Sequence, residues 1–433
     1  MDPHILGIIG IAALFFLLLI GMPIGFSLAF VGFWGISFMT DISVALPTLV
    51  KSFYGTFTTY SFTVIPLFVI MGEFATASGL SQGIYTVADK WLRRLPGGLG
   101  IATIGACSGF AAICGSSVAT AATLGRVALP EMKKYDYDTQ LATGTVAAGG
   151  TLGFLIPPSI GFVVYGILTE QSIGKLLIAG FLPGFLLALA FGVIIVIWVM
   201  IKPSAAPQNP EKVSFIEKLS SLMTVWELIA VFCLVMGGIY LGFFTPNEAG
   251  ALGAFFLFAI TLAKKKMTWK NLVEALKATT RVSVMIFMIL AGAYVFTYFM
   301  ALTMIPMKLS MWLVQMDLSP YFILFIILVG YVILGCFLDA TSMMVLTLPV
   351  IFPTILELGF NPIWFGVISV LMMEAGLITP PLGLNIFVIS GVAGVPMGEV
   401  YKGTIVFLLA IFVVVFLITI FPQIALFLPG VMK

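Results

Sequence analysis

Two clusters of hydroxyl, carboxyl and amide side chains, each set inside an apolar run, are where this 433-residue sequence has the means for chemistry. The first is Gly115-Ser116-Ser117 with Thr120, facing Gly149-Gly150-Thr151 and Pro157-Pro158-Ser159. Carbonyls freed where a helix breaks, together with hydroxyl oxygens, make a neutral oxygen cage suited to a hard monovalent cation such as Na⁺, and the amino ends of half-helices suit a carboxylate. Small polar residues also let helices approach closely in lipid, which is the reading for an isolated serine. Serines at a turn beside a broken helix read as a binding site instead. The second cluster is Asp339-Ala340-Thr341-Ser342, facing Thr379-Pro380-Pro381-Leu382-Gly383 and Asn385. Asp339 is an acid inside a long apolar run, and such a residue is functional by default. Either a bound cation compensates it, or a proton does, with hydrogen bonds to backbone. Glu374, two residues before Gly376, is a weaker case of the same kind. Glu73 and Glu248 stand near other apolar runs, as sites or as helix-to-helix hydrogen bonds. Arg126 reads as a cation reaching for the membrane surface, with contact to an anion as the alternative. The single histidine, His4, is terminal and uninvolved.

The elements that must position these residues are membrane helices. Of the 433 residues 61% are apolar and 9% charged, and the mean hydropathy is +1.19, values no soluble globular chain shows. A span needs roughly 20 apolar residues, and about ten such runs follow one another. The net charge of +2 gives no reason to expect nucleic acid as a partner. Four cysteines, all inside apolar runs without ligand spacing, read as small core residues. The N-terminus has no basic residue ahead of its first apolar run, so that run reads as a retained helix and not as a cleaved leader. There is no P-loop, and no His-Glu-x-x-His or Gly-x-Ser-x-Gly within a span. Asp339 and Glu374 are the only acids that could pair as in an aspartyl membrane protease. A membrane enzyme therefore lacks its nucleophile and base.

In order, the chain offers a helical hairpin through Gly21-Met22-Pro23, a span near 58–78 and an amphipathic surface helix near 81–95. A re-entrant hairpin over about 97–130, a broken helix over about 138–169 and a span at 175–201 complete the first half. Proline removes an amide donor and clashes with the preceding turn, so Pro157-Pro158 must open its helix. Such opened backbone is tolerated in a membrane only within protein or beside a polar cavity. Residues 202–222 are the polar, proline-rich linker. The second half, 223–433, repeats the plan: spans near 226–243, 246–263 and 280–301, an amphipathic stretch at 305–317, a hairpin over about 320–354, a broken helix over about 362–395 and a last helix near 403–429. An offset of 223 residues pairs Pro23 with Pro246, Pro130 with Pro353, and Pro157-Pro158 with Pro380-Pro381. Basic residues concentrate on one side (Lys90 to Arg94, Lys133 and Lys134, Lys202 to Lys218, Lys264 to Arg281, Lys402), leaving Lys51, Lys175, Lys308 and Lys433 on the other. That bias puts both termini outside and gives each half an odd number of crossings, so the halves are inverted repeats. The expected fold is an all-α polytopic membrane protein whose two hairpins enter from opposite faces. Hairpins so placed suit alternating access, whereas a passive channel needs a continuous water path.

The stretches Cys114-Gly115-Ser116-Ser117-Val118-Ala119-Thr120, Leu129-Pro130-Glu131-Met132, Gly153-Phe154-Leu155-Ile156-Pro157-Pro158-Ser159 and Ile378-Thr379-Pro380-Pro381-Leu382-Gly383 resemble the large membrane subunit of tripartite ATP-independent periplasmic (TRAP) transporters. The resemblance runs from Gly21 through the final helix. It implies an inner-membrane subunit working with a small four-helix membrane subunit and a periplasmic binding protein. It further implies import of an organic acid driven by Na⁺, with proton coupling as the alternative, by an elevator movement of the hairpins and broken helices against a scaffold. Carried onto this chain, one Na⁺ site would fall at Ser116, Ser117, Gly149, Thr151 and Gly153, and another at Asp339, Thr341, Ser342, Gly376 and Thr379. The substrate would lie between the hairpin turns, at Ser116, Ser117, Thr120, Pro158, Ser159, Thr341, Pro381 and Asn385.

Overall fold

Several helices stop at a glycine or beside a proline pair. The computed structural model describes residues 2–207, 213–315, 318–381 and 383–432; every regular element among them is a helix, and no strand occurs among the described residues. Helices Pro3–Leu19 and Ile24–Met39 are joined at Gly21, whose φ of +84° suits a residue without a Cβ. The span expected near 58–78 is Tyr60–Ala77. The surface helix is Leu80–Leu92, burying Leu80, Ile84 and Tyr85, with Asp89 and Arg93 paired one turn apart. The first hairpin is formed by limbs Gly98–Cys114 and Ser117–Lys134, and the first broken helix by Thr139–Leu155 and Ile160–Thr169, bent by 42° at the proline pair. The second hairpin has limbs Pro320–Gly335 and Ala340–Glu357, and the second broken helix has parts Pro362–Leu377 and Leu384–Ala393, separated at Pro380-Pro381. Pro130 and Pro353 each lie inside the second limb of their hairpin, so the limbs run past them to Lys134 and Glu357.

Four elements differ from the sequence reading, the first being the last helix, expected near 403–429, which is Met397–Ile420 followed after Pro422 by Gln423–Val431. A helix over Ile42–Thr58, started by Asp41 accepting from the Ser43 amide, stands where no element was expected; its lysine and threonines mask its apolar content. Part of the linker is helical, Phe215–Leu222, because Ser214 and Glu217 form a capping box. The Lys218 carbonyl accepts from the Trp91 indole at 3.1 Å, and the Val213 carbonyl accepts from Arg94 at 3.1 Å, which lays this helix along Leu80–Leu92. The span near 280–301 belongs to a longer helix, Trp269–Thr303, since no glycine or proline interrupts it before Gly292. Residues 208–212 of the linker, the last two of the amphipathic stretch at 305–317, Leu382 of the second motif and Lys433 of the charge count lie outside the described residues.

Two helices sit at the centre. Thr139–Leu155 is buried from Leu141 onward, and Pro362–Leu377 from Trp364 onward. Without a hydrophobic driving force between helices in lipid, such contacts depend on close backbone approach through small residues. At Gly144 an added Cβ would lie 2.4 Å from the Gly403 carbonyl oxygen, and one at Gly403 would lie 2.1 Å from that of Gln140. Helix Met397–Ile420 is therefore pressed directly on the first broken helix. Gly144→Val or Gly403→Val should each destabilise the fold by about 1–3 kcal/mol or more through overpacking. The check is the thermal unfolding midpoint in detergent, with Gly398→Val, where an added Cβ meets nothing within 4 Å, as the silent control.

Candidate functional site

The turn of the first hairpin is built by two residues with opposite backbone needs. Gly115 closes the first limb at φ +64°, and Ser116 is extended and starts the second limb, its Oγ accepting from the Ala119 amide at 3.4 Å. The turn rests on the break of the first broken helix. A Cβ at Gly115 would lie 2.6 Å from the Pro158 carbonyl oxygen, and the Ile160 amide donates to the Gly115 carbonyl at 3.4 Å. Ser159 caps Ile160–Thr169 by accepting from the Phe162 amide, and it donates to the Phe154 carbonyl. Two half-helix amino ends, at Ser116-Ser117 and Ser159-Ile160, thus begin at one place, each with the partial positive charge of a helix amino terminus.

Glycines of the first broken helix seat this turn. A Cβ at Gly153 would lie 2.5 Å from the Ser116 carbonyl oxygen and 2.7 Å from Thr120 Oγ1. One at Gly149 would lie 2.8 Å from Cys107 Sγ on the first limb. Gly150 faces Ala121, the Ser117 carbonyl and Asn385. Thr151 instead donates to the Ala148 carbonyl at 2.6 Å within its own helix.

The second broken helix also reaches this place. Ser117 Oγ donates to Glu374 Oε2 at 2.6 Å, and Asn385 Nδ2 donates to the Ala147 carbonyl at 3.2 Å. Sequence reasoning set Asn385 beside the second turn. The structure puts it at the first, because helix Leu384–Ala393 packs against Ser117–Lys134 and Thr139–Leu155. Glu374, the weaker acid by sequence, is fully buried, whereas Asp339 is half-buried.

At the second turn, Asp339 caps Ala340–Glu357 by accepting from the Ser342 amide at 3.2 Å and from the Ser342 hydroxyl. Thr341 and Ser342 are buried. The hairpin crosses the second broken helix at backbone contact: a Cβ at Gly376 would lie 2.5 Å from Gly335 Cα. Thr379 Oγ1 donates to the Ala375 carbonyl at 2.6 Å, and Tyr401 donates to the carbonyl of the exposed Pro381.

Among the other candidates, Glu248 closes a capping box with Thr245 on its own helix, so it bridges no helices there. Arg126 is exposed and lines a cleft of about 510 Å³ with Lys133, Tyr137, Thr139 and Thr143. No ion pair involves Arg126 or Lys133 among the described residues. Asp138 at the edge of this region is engaged elsewhere: burial pushes its carboxyl up, but Lys202 at 2.6 Å and the amides of Gln140 and Leu141 outweigh that and hold it below the usual carboxylate range. The described residues contain no group of three or more histidine, cysteine or acidic side chains able to hold a metal, and all four cysteines are free. The donors on offer are hydroxyl, carbonyl, amide and carboxylate oxygens, which suit hard cations and not soft ones.

Residues 11–424 match the family described as tripartite ATP-independent periplasmic transporter, DctM component. The chain is 36% identical over 373 residues to the C4-dicarboxylate TRAP transporter large permease protein DctM of Pseudomonas aeruginosa, covering 86% of each chain. It is 30% identical over 416 residues to the sialic acid TRAP transporter large permease protein SiaM of Vibrio cholerae, covering 95% of this chain and 96% of that one. Among solved structures, the YdaH transporter of Alcanivorax borkumensis aligns with a TM-score of 0.60 at 14% identity, over 89% of this chain and 91% of its own, a likeness of fold.

Proposed function

This chain belongs to the DctM family of tripartite ATP-independent periplasmic transporters, and on that premise we propose that it is the large permease of an Na⁺-driven importer of a small organic acid. The observation that carries the reading is the meeting of the first hairpin turn with the break of the first broken helix, through Gly115 on Pro158, and with the second broken helix one turn before its break, through Ser117 on Glu374. Half-helix amino ends attract an anion, and the same opened backbone offers carbonyl oxygens to a cation. Ser116, Ser117, Gly149, Thr151 and Gly153 hold one Na⁺; Asp339, Thr341, Ser342, Gly376 and Thr379 hold the second. The substrate carboxylate lies between the turns against Pro158, Ser159, Thr341 and Pro381. Relatives named for C4-dicarboxylates and sialic acid favour a carboxylate as cargo.

In this reading the halves are inverted repeats, both termini are periplasmic and the chain sits in the bacterial inner membrane. A small four-helix subunit pairs with it, and a periplasmic protein delivers the substrate. The surface helix Leu80–Leu92 and helix Ile305–Gln315, each just before a hairpin, are the arms that join a moving unit to a scaffold.

The test is uptake into proteoliposomes containing the chain with its companion subunit and binding protein. An inward Na⁺ gradient should accumulate succinate or sialic acid above its external concentration, and dissipating the gradient should end accumulation. Mere equilibration would identify a channel. Accumulation that follows a proton gradient alone would identify proton coupling.

A further inference from the structure

We propose that Glu374, with Ser117, Thr120 and Asn385, forms an anionic cation subsite in which the protein's own carboxylate, and not the substrate, neutralises the coupling ion. The inference rests on the cation-coupled reading above and adds to it a fixed charge and a set of ligands from both halves of the chain.

Four helices bring these residues together. Ser117 and Thr120 lie one turn apart on the second limb of the first hairpin, over Gly150 and Gly153 of the first broken helix. Glu374 arrives from Pro362–Leu377 and is held by the Ser117 hydroxyl at 2.6 Å. Asn385 arrives from Leu384–Ala393, its Nδ2 engaged by the Ala147 carbonyl and lying 3.0 Å from where a Cβ on Gly150 would be. An added Cβ at Gly150 would also lie 3.1 Å from the Ser117 carbonyl oxygen, and one at Gly153 2.7 Å from Thr120 Oγ1, so Ser117, Thr120 and Asn385 lie against adjacent turns of the first broken helix.

What they leave unsatisfied points to the ligand. Glu374, Thr120 and Asn385 are each 0% exposed. Glu374 Oε1, Thr120 Oγ1 and Asn385 Oδ1 have no hydrogen-bond partner among the described residues. Two of these oxygens are pure acceptors when the acid is ionised, and the third is a hydroxyl. A buried polar atom without a partner is strongly unfavourable, and a buried charge persists only when paired or on a metal ion. Partnerless buried oxygens on helices packed together, one of them a carboxylate oxygen, suit a cation. One carboxylate with neutral oxygens balances a single positive charge, whereas divalent cages such as those for Ca²⁺ draw on several carboxylates. A Na⁺-sized monovalent ion is the fitting occupant. Because Ser117 and Thr120 belong to the first hairpin and Glu374 and Asn385 to the second broken helix, its binding ties the two together before substrate arrives.

The experiment uses the purified full chain without substrate. NaCl is titrated against choline chloride at constant ionic strength, reading radioactive Na⁺ binding and the thermal unfolding midpoint. Wild type should bind Na⁺, and Glu374→Gln should raise the half-saturating concentration by roughly tenfold or more, the loss of a contact to a charged ligand. Glutamine reproduces a neutral acid in shape, so unchanged Na⁺ binding in Glu374→Gln would show a neutral structural group and overturn the proposal. Should that variant not fold, Thr120→Val decides: a rise of about threefold is expected, and no change overturns it. Absence of substrate-free Na⁺ binding in wild type also overturns it. Uptake is scored separately. Na⁺-driven accumulation with no Glu374-dependent binding removes the subsite and leaves the transport reading. Glu374-dependent binding without driven uptake does the reverse.

Discussion

Proteoliposomes carrying Ser116→Ala with Ser117→Ala should show no substrate accumulation above background, a fall of roughly a hundredfold, each hydroxyl contributing about 1.5 kcal/mol to a charged ligand. The structure separates two consequences of the change. Ser116 caps its helix, and losing such a cap costs about 1 kcal/mol, which a membrane helix packed on both sides tolerates. Ser117 holds Glu374, so its removal leaves the buried acid without its donor. The purified variant should therefore keep its helical content by circular dichroism while uptake is lost. Accumulation that retains wild-type Na⁺ dependence in this double variant would sink the assignment of the first turn.

Asp339→Ala should likewise abolish uptake, by about a hundredfold, and here the companion variant Asp339→Asn is the informative one. Asparagine caps a helix as well as aspartate does: its one oxygen preserves the acceptor for the Ser342 amide, its NH₂ can donate to the Ser342 hydroxyl that the other carboxylate oxygen accepted from, and the charge is removed. Loss of uptake in both variants identifies the charge as the working part. Retention of Na⁺-dependent uptake by Asp339→Asn would reduce Asp339 to the start of Ala340–Glu357. The measurement is initial uptake rate against Na⁺ concentration at fixed vesicle incorporation.

The breaks were legible because their cause is local. A proline pair has the same effect on a helix in any surroundings, and Pro157-Pro158 and Pro380-Pro381 interrupt their helices as the sequence says. Hairpin turns were legible for the same reason, since Gly115 and Ser116 have strong and opposite backbone preferences. Which break meets which turn was not legible. Asn385 is four residues from Pro381 in sequence, yet its partner is Ala147 in the other half, a pairing set by how helix Leu384–Ala393 packs and by no local signal. Glu374 carried a signal that was underweighted: it is an acid in an unbroken apolar run, as Asp339 is, but helical on both sides. Held inside Pro362–Leu377 against the first hairpin, it has no solvent to retreat to, and it is the one fully buried. The capping box at Ser214 and Glu217 was readable and was hidden by the prolines around it.

The contact between Gly144 and Gly403 has a bearing on how the chain is made. Thr139–Leu155 leaves the ribosome about 250 residues ahead of the helix that covers it, a delay of roughly 12–50 s at ordinary synthesis rates of about 5–20 residues per second. Throughout that interval the glycine face around Gly144 lies open to lipid or to whatever insertion factor attends it. A nascent chain arrested before Met397–Ile420 emerges is thus a half-built protein whose innermost helix is still uncovered, the stage at which quality control would find it.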